Sequence, residues 1–155
     1  WKVSELAKSI YSESEDFKNM FGEEFMNQFL NTPNREVIKD LNSELFSPKT
    51  PLNYFEGKSC VLIGSATFSS ANFLADAVKT YKITTLIGTA TGEYTNDFGE
   101  LLNFKLKNSG STVYISSTFD IGANGNDSIL EPVYPDIEVK TDALKYARDW
   151  IKKED

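Results

Sequence analysis

Residues 61–76 read VLIGSATFSSANFLAD and predict a buried β-strand that leads through a turn of small residues into an α-helix. The strand lies within Ser59 to Gly64, an apolar run without alternation, which is typical of a strand covered on both faces. Ser70 to Tyr81 carries an apolar helical stripe, and Ile83 to Ile87 is again β-branched and strand-like. Strand, helix and strand within about 30 residues predict a βαβ unit of an α/β fold.

Beyond this unit the pattern becomes antiparallel. Leu101 to Leu106 and Thr112 to Ser117 alternate around an Asn-Ser-Gly turn and predict a β-hairpin. Val133 to Val139 is a last extended segment, interrupted by a proline. Thr141 is then expected to cap a final helix from Asp142 to Lys152.

The first 50 residues are predicted to be helical. A first helix is expected from Glu5 to Tyr11 and a second from Ser14 to Leu30, with Gly22 as an unfavourable residue in its middle. A third is expected from Arg35 to about Leu45, before a proline. The second helix carries a stripe that is expected to face the core, although it would also suit a partner or a further part of the parent protein. Its members are Phe17, Met20, Phe21, Phe25 and Phe29.

The composition is that of one ordinary globular domain of 155 residues, with 40% hydrophobic and 25% charged residues. A net charge of −7 argues against nucleic acid and against an anionic membrane surface as partners. No run approaches the roughly 18 apolar residues of a membrane span. The chain begins at Trp1 rather than Met, so a fragment or processed product is expected. Cys60, the single cysteine, excludes an internal disulfide and is expected to be an inert buried thiol.

The chain contains no histidine. A Ser-His-Asp triad cannot be built from it alone, and neither can an ordinary catalytic zinc site with histidine ligands. The stretch from Asp120 to Ser128 is rich in Gly, Asn and Asp, but it lacks the spacing of an EF-hand and is interpreted as a solvated turn, so no metal is expected.

Ser69 lies at the junction between the predicted strand and the predicted helix. The first-turn amides of a helix point into the space beside such a hydroxyl and favour negative charge. A developing oxyanion would be stabilised there, and one donor of this kind contributes about 3 kcal/mol to the transition state. The alternative is that Ser69 is only a helix cap, because serine is among the best capping residues.

Three segments, in order, resemble motifs of the C-terminal-processing (tail-specific) serine peptidase family. The segment 67–73, TFSSANF, resembles its nucleophile motif of Thr, any residue, Ser, two small residues, Glu and an aromatic residue. The segment 87–92, IGTATG, is similar to the family's Gly-x-x-Thr-Gly turn, and 131–137, EPVYPDI, to its closing Gly-Val-x-Pro-Asp-Ile segment. The resemblance covers roughly residues 55–152.

The resemblance implies a crotonase-like or Clp-protease-like α/β spiral, with 51–155 as the C-terminal part of a peptidase catalytic core and 1–50 as a helical segment leading into it. It places the nucleophile on Ser69 and part of the oxyanion hole on the backbone N–H of Ser70. Glu131 is a candidate for the acid that orients the base, or a solvated loop carboxylate. Glu93 has a similar standing and is not taken as a site residue. The implied substrate is a polypeptide, cleaved through an acyl-enzyme without a cofactor.

The departures from the family pattern concern the general base. The stretch Gly92-Glu93-Tyr94 has no lysine where one branch of the family carries it, which points to the branch that resembles the tricorn core and uses a histidine from an earlier segment. That segment, and a second oxyanion donor, are expected before Trp1, so the chain alone is expected to be inactive. Asn72 replaces the usual Glu and is expected to affect only local hydrogen bonding. The nearby lysines are expected to be too far from Ser69 to act as base, since ten helical residues rise about 15 Å; they are Lys58, Lys79 and Lys82.

Two other interpretations remain open. The chain could belong to a non-catalytic peptide-binding or ligand-binding protein on the same scaffold, or to a crotonase-fold protein in which Ser69 is only a cap. The resemblance also implies export to the bacterial cell envelope. Association with the missing N-terminal part, or with further copies of the chain, would be compatible with all of these interpretations.

Overall fold

A computed structural model of the chain describes residues 1–39 and 55–153. The described residues form two compact units, one of residues 1–39 and 98–119 and the other of residues 55–97 and 120–153. The helices and strands, in chain order, are α1 Glu5–Glu13, α2 Glu15–Asn31, β1 Cys60–Ile63, α3 Ser70–Tyr81, β2 Thr85–Gly88, β3 Leu101–Lys105, β4 Thr112–Ser116, β5 Ile137–Glu138 and α4 Ala143–Ile151.

The second unit contains the predicted βαβ unit. Strands β1 and β2 pair in parallel from Cys60 opposite Thr85 to Ile63 opposite Gly88, and β5 adds to β2 in parallel. The sheet order is β1-β2-β5. Because the strands are parallel, the loops that follow β1 and β2 leave the sheet at the same edge, where α/β proteins usually bind ligands.

Helix α3 is held on this sheet by a small apolar core. Ala75 and Val78 on its inner face are buried against residues of β1, of β2 and of the segment before β5. The buried members of this cluster are Ile63, Ala75, Val78, Leu86 and Val133. Packing of this kind fixes α3, and with it the turn that begins the helix, relative to β1 and β2.

The first unit combines α1 and α2 with the predicted β3–β4 hairpin, whose strands pair from Leu101 opposite Ser116 to Lys105 opposite Thr112. The hairpin, which the sequence analysis assigned to the part 51–155, buries Leu102 in the core of this unit. The core also takes in the apolar stripe of α2, where Phe17 and Phe29 are buried, whereas Met20 is 65% exposed. The α/β class, the parallel βαβ unit, the hairpin and the N-terminal helices are thus confirmed.

Several predicted element boundaries are wrong. Gly22 is not merely an unfavourable residue within one helix, since its φ of 78° and ψ of 169° kink α2. The helix expected from Arg35 does not begin there: Arg35 has a φ of 77°, residues 36–39 are not helical, and Val37 forms an antiparallel bridge with Lys2. Pairing with the N-terminus overrides helix propensity, because Ile38 N–H donates to the carbonyl of Trp1. Residues 40–45 of that predicted helix lie outside the described residues.

Smaller differences concern the C-terminal part. The extended segment from Val133 is a strand only over Ile137–Glu138, since Pro135 has no N–H to donate. The cap of α4 is Asp142, whose carboxylate accepts the Lys145 N–H, rather than Thr141. Cys60 is half-buried, not buried. Across residues 1–39 and 55–153, no helix combines the length and hydrophobicity that crossing a membrane requires.

Candidate functional site

The turn between β1 and α3 is closed by a reciprocal pair of hydrogen bonds. Thr67 N–H donates to the carbonyl of Gly64 at 2.8 Å, and Gly64 N–H donates to Thr67 Oγ1 at 3.0 Å. The turn is therefore tight and defined by the threonine two residues before Ser69. It leaves Ser69 exposed at the start of α3.

Ser69 has an unusual backbone conformation for a residue that begins a helix. Its φ is 53° and its ψ is −131°, where an ordinary cap is extended. A positive φ is uncommon for any residue other than glycine, and such conformations cost of order 1–3 kcal/mol and cluster at active sites. The surrounding structure must therefore hold Ser69 in place.

The side chain of Ser69 is not used as a cap. Ser4, Ser14 and Asp142 each accept an N–H from the first turn of the helix that they begin, at 2.9–3.2 Å. Ser69 makes no such bond. Among the described residues its hydroxyl has no hydrogen-bond partner, so it is open to solvent.

The backbone amides around Ser69 are divided between internal partners and open space. The Ser69 carbonyl accepts the amides of Asn72 and Phe73 at 2.8 and 3.0 Å, and the Ser69 N–H donates to the carboxylate of Glu93. In the part of the chain that the structure describes, the Ser70 N–H meets no acceptor. Its predicted role as an oxyanion donor stays a prediction.

Glu93, which is not among the predicted site residues, is hydrogen-bonded to Ser69. It follows the Thr-Gly turn after β2, and its carboxylate accepts the Ser69 N–H. Burial raises the pKa of Glu93 above its ordinary value of 4.5, a hydrogen bond with Asp97 raises it further, and the Ser69 amide lowers it in part. The sequence signal that could have placed Glu93 near Ser69 is its position after the second of two parallel strands, because the loops that follow β1 and β2 leave the sheet at the same edge.

Two glycines allow the two loops to approach so closely. A Cβ on Gly88, whose φ is 135°, would lie 2.0 Å from the carbonyl oxygen of Ile63. A Cβ on Gly92 would lie 2.1 Å from the carbonyl oxygen of Ser65. Both contacts are with backbone atoms that a rotamer change cannot relieve, so glycine is required at both positions.

Asn72, a buried residue of α3, is hydrogen-bonded to the loop after β2. It is 1% exposed, and its Nδ2 donates to the carbonyl of Tyr94 at 2.6 Å. Its Oδ1 is buried without a partner among the described residues. The residue that replaces the family's usual Glu thus contributes a hydrogen bond between α3 and the loop after β2.

Glu131 makes no hydrogen bond with Ser69 or Ser70 in the part of the chain that the structure describes. Its carbonyl accepts both the N–H and the hydroxyl of Thr95, at 2.8 and 2.9 Å, while its side chain is exposed. Within the described ranges the carboxylate makes no hydrogen bond or ion pair. Its role in orienting a base stays a prediction.

The lysines lie at the far end of α3. Lys79 pairs with Asp136, Lys82 ends the helix that Ser69 begins, and Lys58 lies 4.5 Å from the centre of the Trp150 ring. None of them makes a hydrogen bond with Ser69. Residues 1–39 and 55–153 also contain no group of three or more cysteine or acidic residues arranged to hold a metal ion.

Comparison with known proteins finds a matching family model and matching solved structures. The model of peptidase family S41 matches residues 10–139. The crystal structure of mature CPAF matches with 24% identity and a TM-score of 0.43, over 61% of this chain and 18% of that one. The chain thus spans less than a fifth of the length of that structure. Among curated proteins, none matches the chain.

Proposed function

This chain belongs to peptidase family S41, and from that premise we propose that Ser69 is the nucleophile of a serine endopeptidase that cleaves polypeptides. The observation that carries the proposal is the conformation of Ser69. Its backbone is held at a positive φ, and its hydroxyl is exposed and free of the capping bond that Ser4 and Ser14 make. Strand-to-helix turns of this strained kind lift a nucleophilic serine out of a sheet.

The reaction would proceed through an acyl-enzyme. Ser69 Oγ attacks the carbonyl carbon of the scissile peptide and passes its proton to a general base, while the carbonyl oxygen becomes an oxyanion facing the Ser70 N–H. The base then protonates the leaving amine as the C–N bond breaks, and water hydrolyses the ester. An open amide at a helix N-terminus suits the oxyanion, because it needs no reorganisation when charge develops.

The general base is proposed to come from outside these 155 residues. The chain contains no histidine, and no lysine in the described ranges is hydrogen-bonded to Ser69. We accordingly propose that the chain alone does not hydrolyse peptides, and that Glu131 orients the base only in the complete protein. The cleavage near polypeptide C-termini, the crotonase-like spiral and the export to the cell envelope are proposed on the resemblance of the three motifs.

The test is reaction of the complete protein with a serine-directed fluorophosphonate, followed by mapping of the labelled residue. We expect labelling at Ser69 that Ser69→Ala abolishes. Ser70→Ala is the matched control, because it removes a neighbouring hydroxyl but keeps the backbone N–H, and it should label at close to the native rate.

Among the described residues no base is hydrogen-bonded to the Ser69 hydroxyl, and this also suits a non-catalytic binding protein on the same scaffold. The two functions differ in the labelling experiment, since a serine without a base should not react. A folded complete protein that is neither labelled nor able to hydrolyse unstructured polypeptides would contradict the peptidase and leave the binding protein.

A further inference from the structure

We propose that Glu93 is a positioning residue for the nucleophile: its carboxylate holds the Ser69 N–H and thereby keeps the Ser69 backbone in the conformation that presents the hydroxyl. The inference rests on the proposed function of Ser69. It assigns to Glu93 no proton transfer and no contact with substrate.

The need for such a residue follows from the backbone of Ser69. Its carbonyl is fixed by the amides of Asn72 and Phe73, which belong to the first turn of α3. On the other side of the residue, the acceptor of the Ser69 N–H is Glu93. Without that acceptor, the peptide before Ser69 would be free to rotate towards an ordinary extended cap, in which the hydroxyl folds back onto the first-turn amides.

Glu93 is itself anchored to the core of its unit. The hydroxyl of Thr91 donates to the Glu93 carbonyl at 2.9 Å and accepts the Val133 N–H at 2.9 Å, and Thr91 is 5% exposed. The Gly92 N–H donates to the carbonyl of Thr67 at 3.3 Å. A buried hydroxyl and a cross-loop bond therefore fix the backbone on both sides of the residue whose carboxylate reaches Ser69.

The charge of Glu93 makes the contact measurable. Among the described residues, Asp97 is the titratable group that acts on Glu93, and α3 presents to it the uncharged amide of Ser69. A hydrogen bond to a carboxylate is roughly twice as strong as one to a neutral acceptor. Protonation of Glu93 should therefore weaken the bond and shift the amide resonance of Ser69.

The first experiment follows the Ser69 amide of the 155-residue chain by NMR between about pH 3 and pH 8. We expect a titration with a midpoint above 4.5, the ordinary value for Glu, because burial and Asp97 both raise the pKa of Glu93. Glu93→Gln should remove the titration and keep the amide bonded. A Ser69 amide that does not respond to pH while the chain stays folded would overturn the proposal.

The second experiment uses the complete protein. Glu93→Ala should slow fluorophosphonate labelling of Ser69 and lower kcat by about 10-fold to 100-fold with little change in KM, whereas Glu93→Gln should stay within about threefold of the native rate. Glu138→Ala, which removes an exposed carboxylate paired with Lys140 in the same unit, is the control. Native rates in Glu93→Ala would contradict the positioning role.

The two experiments separate this proposal from the proposed function. If Ser69 is labelled but its amide does not titrate, Ser69 is a nucleophile that does not depend on Glu93. If the amide titrates and the complete protein is not labelled at Ser69, the nucleophile assignment fails and the positioning role fails with it.

Discussion

Three serines begin helices among the described residues, and their backbone conformations differ although the residue type is the same. Ser4 and Ser14 are extended and accept an N–H through the side chain, whereas Ser69 has a positive φ and an unbonded hydroxyl. The sequence predicts a helix start at all three. It does not reveal which serine has its N–H taken by an acceptor from another loop, because that acceptor, Glu93, is 24 residues away.

This difference predicts unequal effects of alanine. Ser14→Ala should lower the free energy of unfolding by about 1 kcal/mol, because the Phe17 N–H loses its acceptor. Ser69→Ala should change it by less than about 0.5 kcal/mol, because its side chain caps nothing. Urea unfolding of both variants measures the difference, and equal losses would show that Ser69 is an ordinary cap.

Asp136 predicts a pH-dependent contribution to stability. Burial raises its pKa, but hydrogen bonds from Lys79 and from the Leu86 amide outweigh burial, so the net pKa lies below the ordinary 3.8. The unfolded chain then binds more protons, and the stabilisation present above pH 3.8 is lost as the pH falls through the folded pKa.

Asp136→Asn should therefore lower the free energy of unfolding at neutral pH. The loss of the ion pair should contribute at most about 1 kcal/mol, because Lys79 and Asp136 are 41% and 40% exposed. The gap from the native chain should close as the pH falls below 3.8. Urea unfolding across this range measures it; Glu138→Gln, which alters a more exposed pair, is the control. A gap that does not depend on pH would contradict the argument.

At the scale of elements, the stability change caused by Gly22→Ala distinguishes a kinked α2 from a continuous helix. If Gly22 were an ordinary helical residue, alanine would stabilise the helix by about 0.5–1 kcal/mol. Its φ is 78°, where alanine is strained by roughly 1–2 kcal/mol although no atom lies within 4 Å of the added Cβ. Gly22→Ala should therefore lower the melting temperature. Glu23→Ala, at an exposed position beside it, should not, and a higher melting temperature for Gly22→Ala would show a continuous helix.

Local sequence pattern predicted the helices and strands whose formation depends on their own residues. The β1–α3–β2 unit and the hairpin follow from apolar periodicity and turn residues, and both form. The extended stretch after Arg35 did not follow, because it is set by pairing with residues 1–3, which no local pattern encodes. Ser69 and Ser70 came from a local motif, whereas Glu93 required knowing that two loops meet.

At the scale of the whole molecule, Leu102 connects the hairpin to the helical core of its unit. It is 3% exposed and belongs to the cluster that contains Phe17 and Phe29. Leu102→Ala should cost about 2–5 kcal/mol of unfolding free energy, through lost burial and the cavity left behind. Circular dichroism during urea unfolding measures it. The matched control is Leu101→Ala, whose residue is 64% exposed, and equal losses would show that the hairpin is not part of that core.

The chain leaves the unit that holds Ser69 at Asp97 and re-enters it at Asp120. These two residues form an antiparallel bridge in which each backbone N–H donates to the carbonyl of the other residue, at 3.1 and 2.7 Å. The segment 98–119 is thus an insertion whose flanking residues are joined by two backbone hydrogen bonds. A two-residue Asn-Gly turn closes a pair of residues with this geometry. Replacing residues 98–119 with Asn-Gly would keep Asp97 and Asp120 paired in the same register. The Asp97–Asp120 pair is therefore a suitable place to shorten the chain by design.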